Sequence, residues 1–154
     1  MNERPGWDEY YVAISRTVAT RANCCRRKVG AIIVVENAII ATGYNGTPMG
    51  VRNCIDGGCP RCASDAPTGA GYDACICVHA EQNAIVMAAR HGNATKGGRL
   101  YTTLRPCFGC AKESIQAGIR EIVFAEPFGY GPELEDVYQR LIRESGIVLR
   151  QPAS

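Results

Sequence analysis

The 154-residue chain is 46% hydrophobic and 21% charged, with 17 basic against 15 acidic side chains and a net charge of +2. A chain of this length is most simply one domain, burying roughly 68–70% of its unfolded surface. The near-balanced charge argues against a polyanion-coating surface, since no basic cluster exceeds Arg26-Arg27-Lys28. Nucleic acid gains no support from charge, whereas acidic small molecules stay in play as partners.

No run approaches the ~18 apolar residues of a membrane span. The opening "MNERPGWDEYY" has neither an apolar segment nor a cleavage-site pattern, so a cytoplasmic location is the default expectation.

Residues 7–20 predict an amphipathic helix, with Trp7, Tyr11, Ile14 and Val18 spaced four, three and four apart. "VGAIIVV" (29–35) and "AIIATGY" (38–44) predict a hairpin turning at Glu36-Asn37. "NGTPMG" then reads as a loop. Residues 50–77 carry five cysteines around "SDAPTGAGYDA" and show neither helical nor strand period. His79 to Arg90 predicts a helix closed by Gly92, and "RLYTTL" (99–104) a buried strand. Pro106 is expected to open a second helix that Gly118 ends. "EIVFA" (121–125) is a strand, Glu133 to Ser145 a helix, and "GIVLR" a last short strand. A hairpin followed by strands alternating with helices implies a mixed five-stranded sheet, covered on both faces and joined by right-handed crossovers.

Nine cysteines, an odd number without an export signal, fit metal binding in a reducing compartment better than a disulfide framework. Cys107 and Cys110 of "TLRPCFGC" lie three apart at a helix start, where unpaired N–H groups favour thiolates. Taken alone, that pair fits redox chemistry, structural zinc or buried thiols. "HAEQNAI" supplies what it lacks. His79 and Glu81 are i and i+2, about 200° apart on a helix, so they share no side face. They converge only on a target ahead of the helix N-terminus. A zinc held there by His79, Cys107 and Cys110 has three protein ligands and one open position, the arrangement of catalytic zinc. Glu81 would then stand beside the activated water as its general base, off the metal.

"HAE" (79–81) with "PCFGC" (106–110) matches the H-x-E…P-C-x-x-C signature of the zinc deaminases. Together with "CRRKVGAIIV", "ATGYNGTPMG" and "AGIREIVF", the chain resembles the cytidine and deoxycytidylate (dCMP) deaminases over roughly residues 7–150. The resemblance implies the cytidine-deaminase-like three-layer α/β/α sandwich. It also implies hydrolysis of dCMP to dUMP and ammonia, with Glu81 protonating N3 and the departing amine. Asn45 is implied at the sugar, Ala80 in the substrate pocket, and Arg26 (with Arg27 and Tyr130 as alternatives) at the phosphate. A charge run is the plain alternative for the arginines, and an Asn-Gly turn for Asn45. Relatives are oligomers, often hexamers. Many are activated by dCTP with Mg2+ and inhibited by dTTP.

The insert spells Cys54-x4-Cys59-x2-Cys62-x12-Cys75-x-Cys77, and a loop this long needs a clip such as a closed zinc site. The resemblance adds Cys24 to the candidates. Four ligands are expected, and Cys24, Cys54, Cys59 and Cys75 match bacterial relatives best, with Cys62 and Cys77 as additions. Cys25 is expected to have no role, and His91 to complement a helix dipole.

Three rivals stand beside dCMP. CMP or a 5-substituted dCMP is set by pocket shape alone. A tRNA adenosine deaminase shares both motifs but needs a basic surface. A non-catalytic zinc module fits the insert, but gives an unliganded Glu81 nothing to do.

Overall fold

Gly30–Val35 is buried along nearly its whole length, as a strand between two others must be when both its faces are covered. The computed structural model describes residues 3–153. In chain order these form α1 (Trp7–Ala19), β1 (Gly30–Val35), β2 (Ala38–Tyr44), α2 (Pro60–Ala63), α3 (Ala80–Arg90), β3 (Arg99–Leu104), α4 (Phe108–Gln116), β4 (Glu121–Glu126), α5 (Pro132–Ser145) and β5 (Val148–Arg150). The sheet order is β2-β1-β3-β4-β5. The β1–β2 and β1–β3 pairs are antiparallel, and β3–β4 and β4–β5 are parallel. This is the mixed five-stranded sheet expected from the sequence.

Strand alternation divides the core into two layers. Ala31 and Ile33 join Ala80, Ala84 and Ala88 of α3, Ala111 of α4 and Tyr138 of α5 on one face. Ile32 and Val34 turn the other way, onto Tyr11, Tyr101 and Val123 beneath α1. The hairpin turns on Glu36 (φ 51°) and Asn37 (φ 62°), the left-handed pair that a two-residue turn with matching twist requires. Tyr11 secures it by donating to the Asn37 carbonyl at 2.8 Å.

The placement of α3 decides the site. Its buried stripe is alanine at 80, 84 and 88, and the facing strand offers Gly43. A Cβ on Gly43 would stand 2.2 Å from the Ala80 carbonyl oxygen and 2.4 Å from the Ala84 nitrogen. Helix and sheet therefore approach more closely than any larger residue permits, and this fixes the helix N-terminus against the sheet.

Two boundaries differ from expectation. Pro106 does not open α4: its carbonyl accepts the Tyr138 hydroxyl at 2.7 Å, and Cys107 (ψ 174°) remains extended as the N-cap. The helix starts at Phe108, with Cys110 as its third residue. α5 begins one residue early because Pro132 takes the first helical position. The insert contains only α2 and two single 3-10 turns, Cys54–Asp56 and Tyr72–Ala74. Its root is tied by a pair of hydrogen bonds between Gly46 and Val78, 3.1 and 2.7 Å. Among the described residues, no helix is long and apolar enough to cross a membrane.

Candidate metal centre and catalytic site

His79 is the N-cap of α3 and Cys107 the N-cap of α4, so two helix N-termini meet beside the carboxyl end of β3. The Gln82 side chain accepts the His79 N–H at 2.9 Å and donates to Glu113 at 3.1 Å, tying the start of α3 to α4. The donor atoms converge: His79 Nδ1 lies 3.5 Å from Cys107 Sγ and 3.4 Å from Cys110 Sγ. Zinc bonds of ~2.0–2.1 Å to nitrogen and ~2.3 Å to sulfur, at tetrahedral angles, put N and S about 3.5–3.6 Å apart. The group fits a zinc ion on spacing and on chemistry. His79 is exposed while Cys110 is fully buried, so the open side faces outward.

Hydrogen bonding within the group favours the ligand form of Cys107. Its thiol is held down to about 4, first by the hydrogen bond from Cys110 and then, against burial, by His79. Cys110 is pushed up by the Cys107 contact and by burial, so one thiolate forms readily and the second needs a cation. Cys107 in turn raises His79.

Glu81 is 4% exposed, and the Thr102 hydroxyl donates to its Oε1 at 2.9 Å. Burial raises its pKa, outweighing the hydrogen bonds that favour the carboxylate. Among the described residues, no ion pair involves Glu81. A buried acid without a cation, hydrogen-bonded to a thiol of the candidate metal group, is poised to exchange protons. Thr102 escaped the sequence reading, because its signal was only an inward position in a strand.

The substrate candidates divide. Tyr130 lies at the site: its hydroxyl accepts the Phe108 N–H at 2.9 Å, capping α4 beside Cys107. Ala80 is fully buried under the helix start. Asn45 is also buried, its Oδ1 accepting from Val29 N–H at 2.8 Å and its Nδ2 donating to the Arg27 carbonyl at 2.7 Å. Arg26 donates from Nε to the Cys62 carbonyl (3.1 Å) and from Nη2 to those of Arg61 (3.4 Å) and Ser64 (2.8 Å). Those donors clamp the insert to the start of β1. Another pair, unmarked in the sequence reading, supports the Pro106–Cys107 segment. Arg105 forks onto Glu135 at 3.0 and 2.7 Å and stacks 4.2 Å over the Tyr138 ring.

A second thiol group forms where the insert meets Cys24. The sulfurs of Cys24, Cys54, Cys62 and Cys77 lie within 4.8 Å of one another, and so do those of Cys59, Cys62, Cys75 and Cys77. Neither group is the set Cys24, Cys54, Cys59 and Cys75 that matches bacterial relatives best among the six candidates. Cys62 and Cys77, expected as additions, belong to both groups, because α2 and the extended segment after Ala74 bring them to the centre. Cys25 is exposed and outside both groups, though its sulfur is 3.7 Å from Cys54.

An α/β/α sandwich with one histidine and two cysteines around an open position, beside a buried acid, is the architecture of zinc-dependent base deaminases. Residues 5–126 match the family described as the cytidine and deoxycytidylate deaminase zinc-binding region. The chain belongs to this family. It is 40% identical over 148 residues to the deoxycytidylate deaminase of Schizosaccharomyces pombe, covering 96% of this chain and 44% of that one. The chain thus spans less than half the length of that yeast relative. With the deoxycytidylate deaminase of Mus musculus it shares 35% identity over 147 residues, 94% of this chain and 79% of the other. The solved structure of dCMP deaminase from the cyanophage S-TIM5, in complex with dCMP and dUMP, superposes with a TM-score of 0.75. It is 29% identical over 98% of this chain and all of that one.

Proposed function

We propose that this chain hydrolyses dCMP to dUMP and ammonia, as a single catalytic domain carrying a cysteine-rich insert. The observation that carries the reading is Glu81: a buried carboxyl without a cation, beside a three-donor group with one open side. A closed structural site has no use for it, so the zinc-module alternative loses its ground. Likeness to relatives named for dCMP supports that substrate.

His79, Cys107 and Cys110 would hold the catalytic zinc. When bound, that ion supplies Lewis acidity that brings the pKa of water toward ~7. Glu81 takes one proton from the attacking water and passes it to N3 of the pyrimidine, then takes the proton left on the new C4 hydroxyl and delivers it to the amine as the C4 carbonyl forms. Water oxygen replaces that nitrogen, and ammonia departs. Burial raises the pKa of Glu81, which suits a group that must give a proton back as well as accept one. Thr102 holds the carboxyl in one orientation.

Tyr130 lines the pocket, fully buried Ala80 seats the start of α3 behind it, and Asn45 orders its rim through the 27–29 backbone. Arg27 takes the phosphate beside Arg26, whose Nε and Nη2 are engaged with the insert. The insert carries a structural zinc, supported by its convergent thiols. The resemblance alone supports a cytoplasmic homo-oligomer, hexameric like its relatives, with dCTP, Mg2+ and dTTP as effectors.

Ammonia release from dCMP, CMP, deoxycytidine and a tRNA adenosine stem-loop, assayed in parallel, tests the reading. A strong preference for dCMP is expected. Activity on the stem-loop alone would overturn the substrate and keep the chemistry. Silence on all four with zinc bound would overturn both.

A further inference from the structure

Six cysteines meet at the insert, two more than a tetrahedral ion takes, and the way they overlap is specific. Cys24 and Cys54 belong to one quartet, Cys59 and Cys75 to the other, and Cys62 and Cys77 to both. Two tetrahedral ions need eight ligand positions. Six sulfurs fill eight positions when two of them serve both ions, which is the partition seen here. We propose that the insert holds a binuclear zinc cluster, with Cys62 and Cys77 as thiolate bridges. The inference deepens the structural-zinc reading above and rests on it.

Distances agree with the assignment. In a ZnS4 tetrahedron with bonds of ~2.3 Å, sulfurs stand about 3.8 Å apart. Cys24 and Cys62, one edge of the first quartet, are 4.0 Å apart. In the second, Cys59–Cys75 and Cys62–Cys75 are both 3.8 Å. Cys62 thus sits one tetrahedral edge from a partner in each quartet.

The single-ion alternative leaves two thiols stranded against the filled site, whichever quartet is chosen. With the first filled, Cys59 (0% exposed) and Cys75 remain. With the second, Cys24 (8%) and Cys54 (1%) remain. Thiols packed this tightly against a zinc thiolate are ligands in waiting for a second soft-metal ion.

Charge is also accommodated. Six thiolates against two divalent cations leave a formal charge of −2, the same as one zinc on four cysteines. The Cys25 N–H donates to Cys54 Sγ at 3.4 Å. Further amides, of Arg26 and Arg27 toward Cys24 and of Cys62 and Ile76 toward Cys59, spread donors around the cluster. The thiol protons leave to solvent as the ions bind.

The arrangement explains how residues 50–77 hold a shape with so little regular structure. One ion would tie four chain points, whereas a bridged pair ties Cys24, Cys54, Cys59, Cys62, Cys75 and Cys77 into one knot.

The test is zinc content per chain of the full protein, purified without chelator, followed by cadmium-113 substitution and NMR. Three ions per chain are expected, falling to two in Cys107→Ser, which spares the insert. Two insert cadmium signals should each correlate with the β-protons of both Cys62 and Cys77. Two ions in the wild type, with one lost in Cys107→Ser, would overturn the binuclear cluster and leave the structural zinc standing. A single ion, lost in that variant, would overturn both readings. Three ions with Cys62 and Cys77 each coupled to one cadmium would overturn the bridging.

Discussion

At the candidate catalytic end, His79, Cys107 and Cys110, which could hold a metal, flank or sit in helices that the sheet holds in place. His79 caps a helix pressed onto Gly43, and Cys107 caps a helix that follows β3 directly. The insert inverts this relation. Between residues 50 and 77 there is one helix of four residues and two single turns, and the thiols themselves form the core. Arg61 adds a brace, donating to the carbonyls of Ala70 and Pro67 and stacking 4.4 Å from the Tyr72 ring. In one region the sheet and helices hold the candidate ligands in place. In the other the thiols are themselves the packed centre.

The largest effect expected from this contrast is on turnover. Glu81→Gln should lower kcat by about 10²–10⁴-fold, the usual worth of a positioned general base, with zinc content unchanged. Equal activity in the variant would remove Glu81 from the chemistry. Zinc loss would make it a ligand and bring the two regions closer in kind.

Chelation reads the contrast directly. Stripping all zinc should abolish hydrogen-exchange protection across residues 50–77 while β1, β3 and α3 stay protected. Loss of protection in both regions at once would show that the catalytic end also depends on its metal to fold.

The smallest effect concerns the support beneath Cys107. Arg105 holds Glu135 down to about 2, so the folded protein favours the ionised carboxylate. The contribution is present above the usual carboxylate range near 4.5 and is lost as pH falls from there toward 2. Glu135→Gln should therefore cost about 1–3 kcal/mol at neutral pH, seen as a lower Tm, with the gap to wild type closing near pH 2. A gap that persists at pH 2 would mean the side chain acts by packing.

Much of the site was legible because its geometry is local. His-x-Glu at a helix start and Cys-x-x-Cys at another each place two groups within one turn, and the two motifs read together point to one shared target. The hairpin was equally plain, since Glu36-Asn37 separates two β-rich runs by two residues. The Pro106 boundary was misread because the restraint comes from Tyr138, 32 residues away. The approach of the carbonyls of residues 61, 62 and 64 to Arg26 has no signal in its own neighbourhood, since they come from the insert.

The sequence by itself determined the strands, the helices and the candidate residues His79, Glu81, Cys107 and Cys110, because periodicity and short spacings are properties of a few adjacent positions. Only the tertiary structure decided which cysteines share a site. Cys24 and Cys77 lie 53 positions apart, and no local rule brings their sulfurs together. That pairing follows from the way the Gly46–Val78 bridge closes the insert over the start of β1.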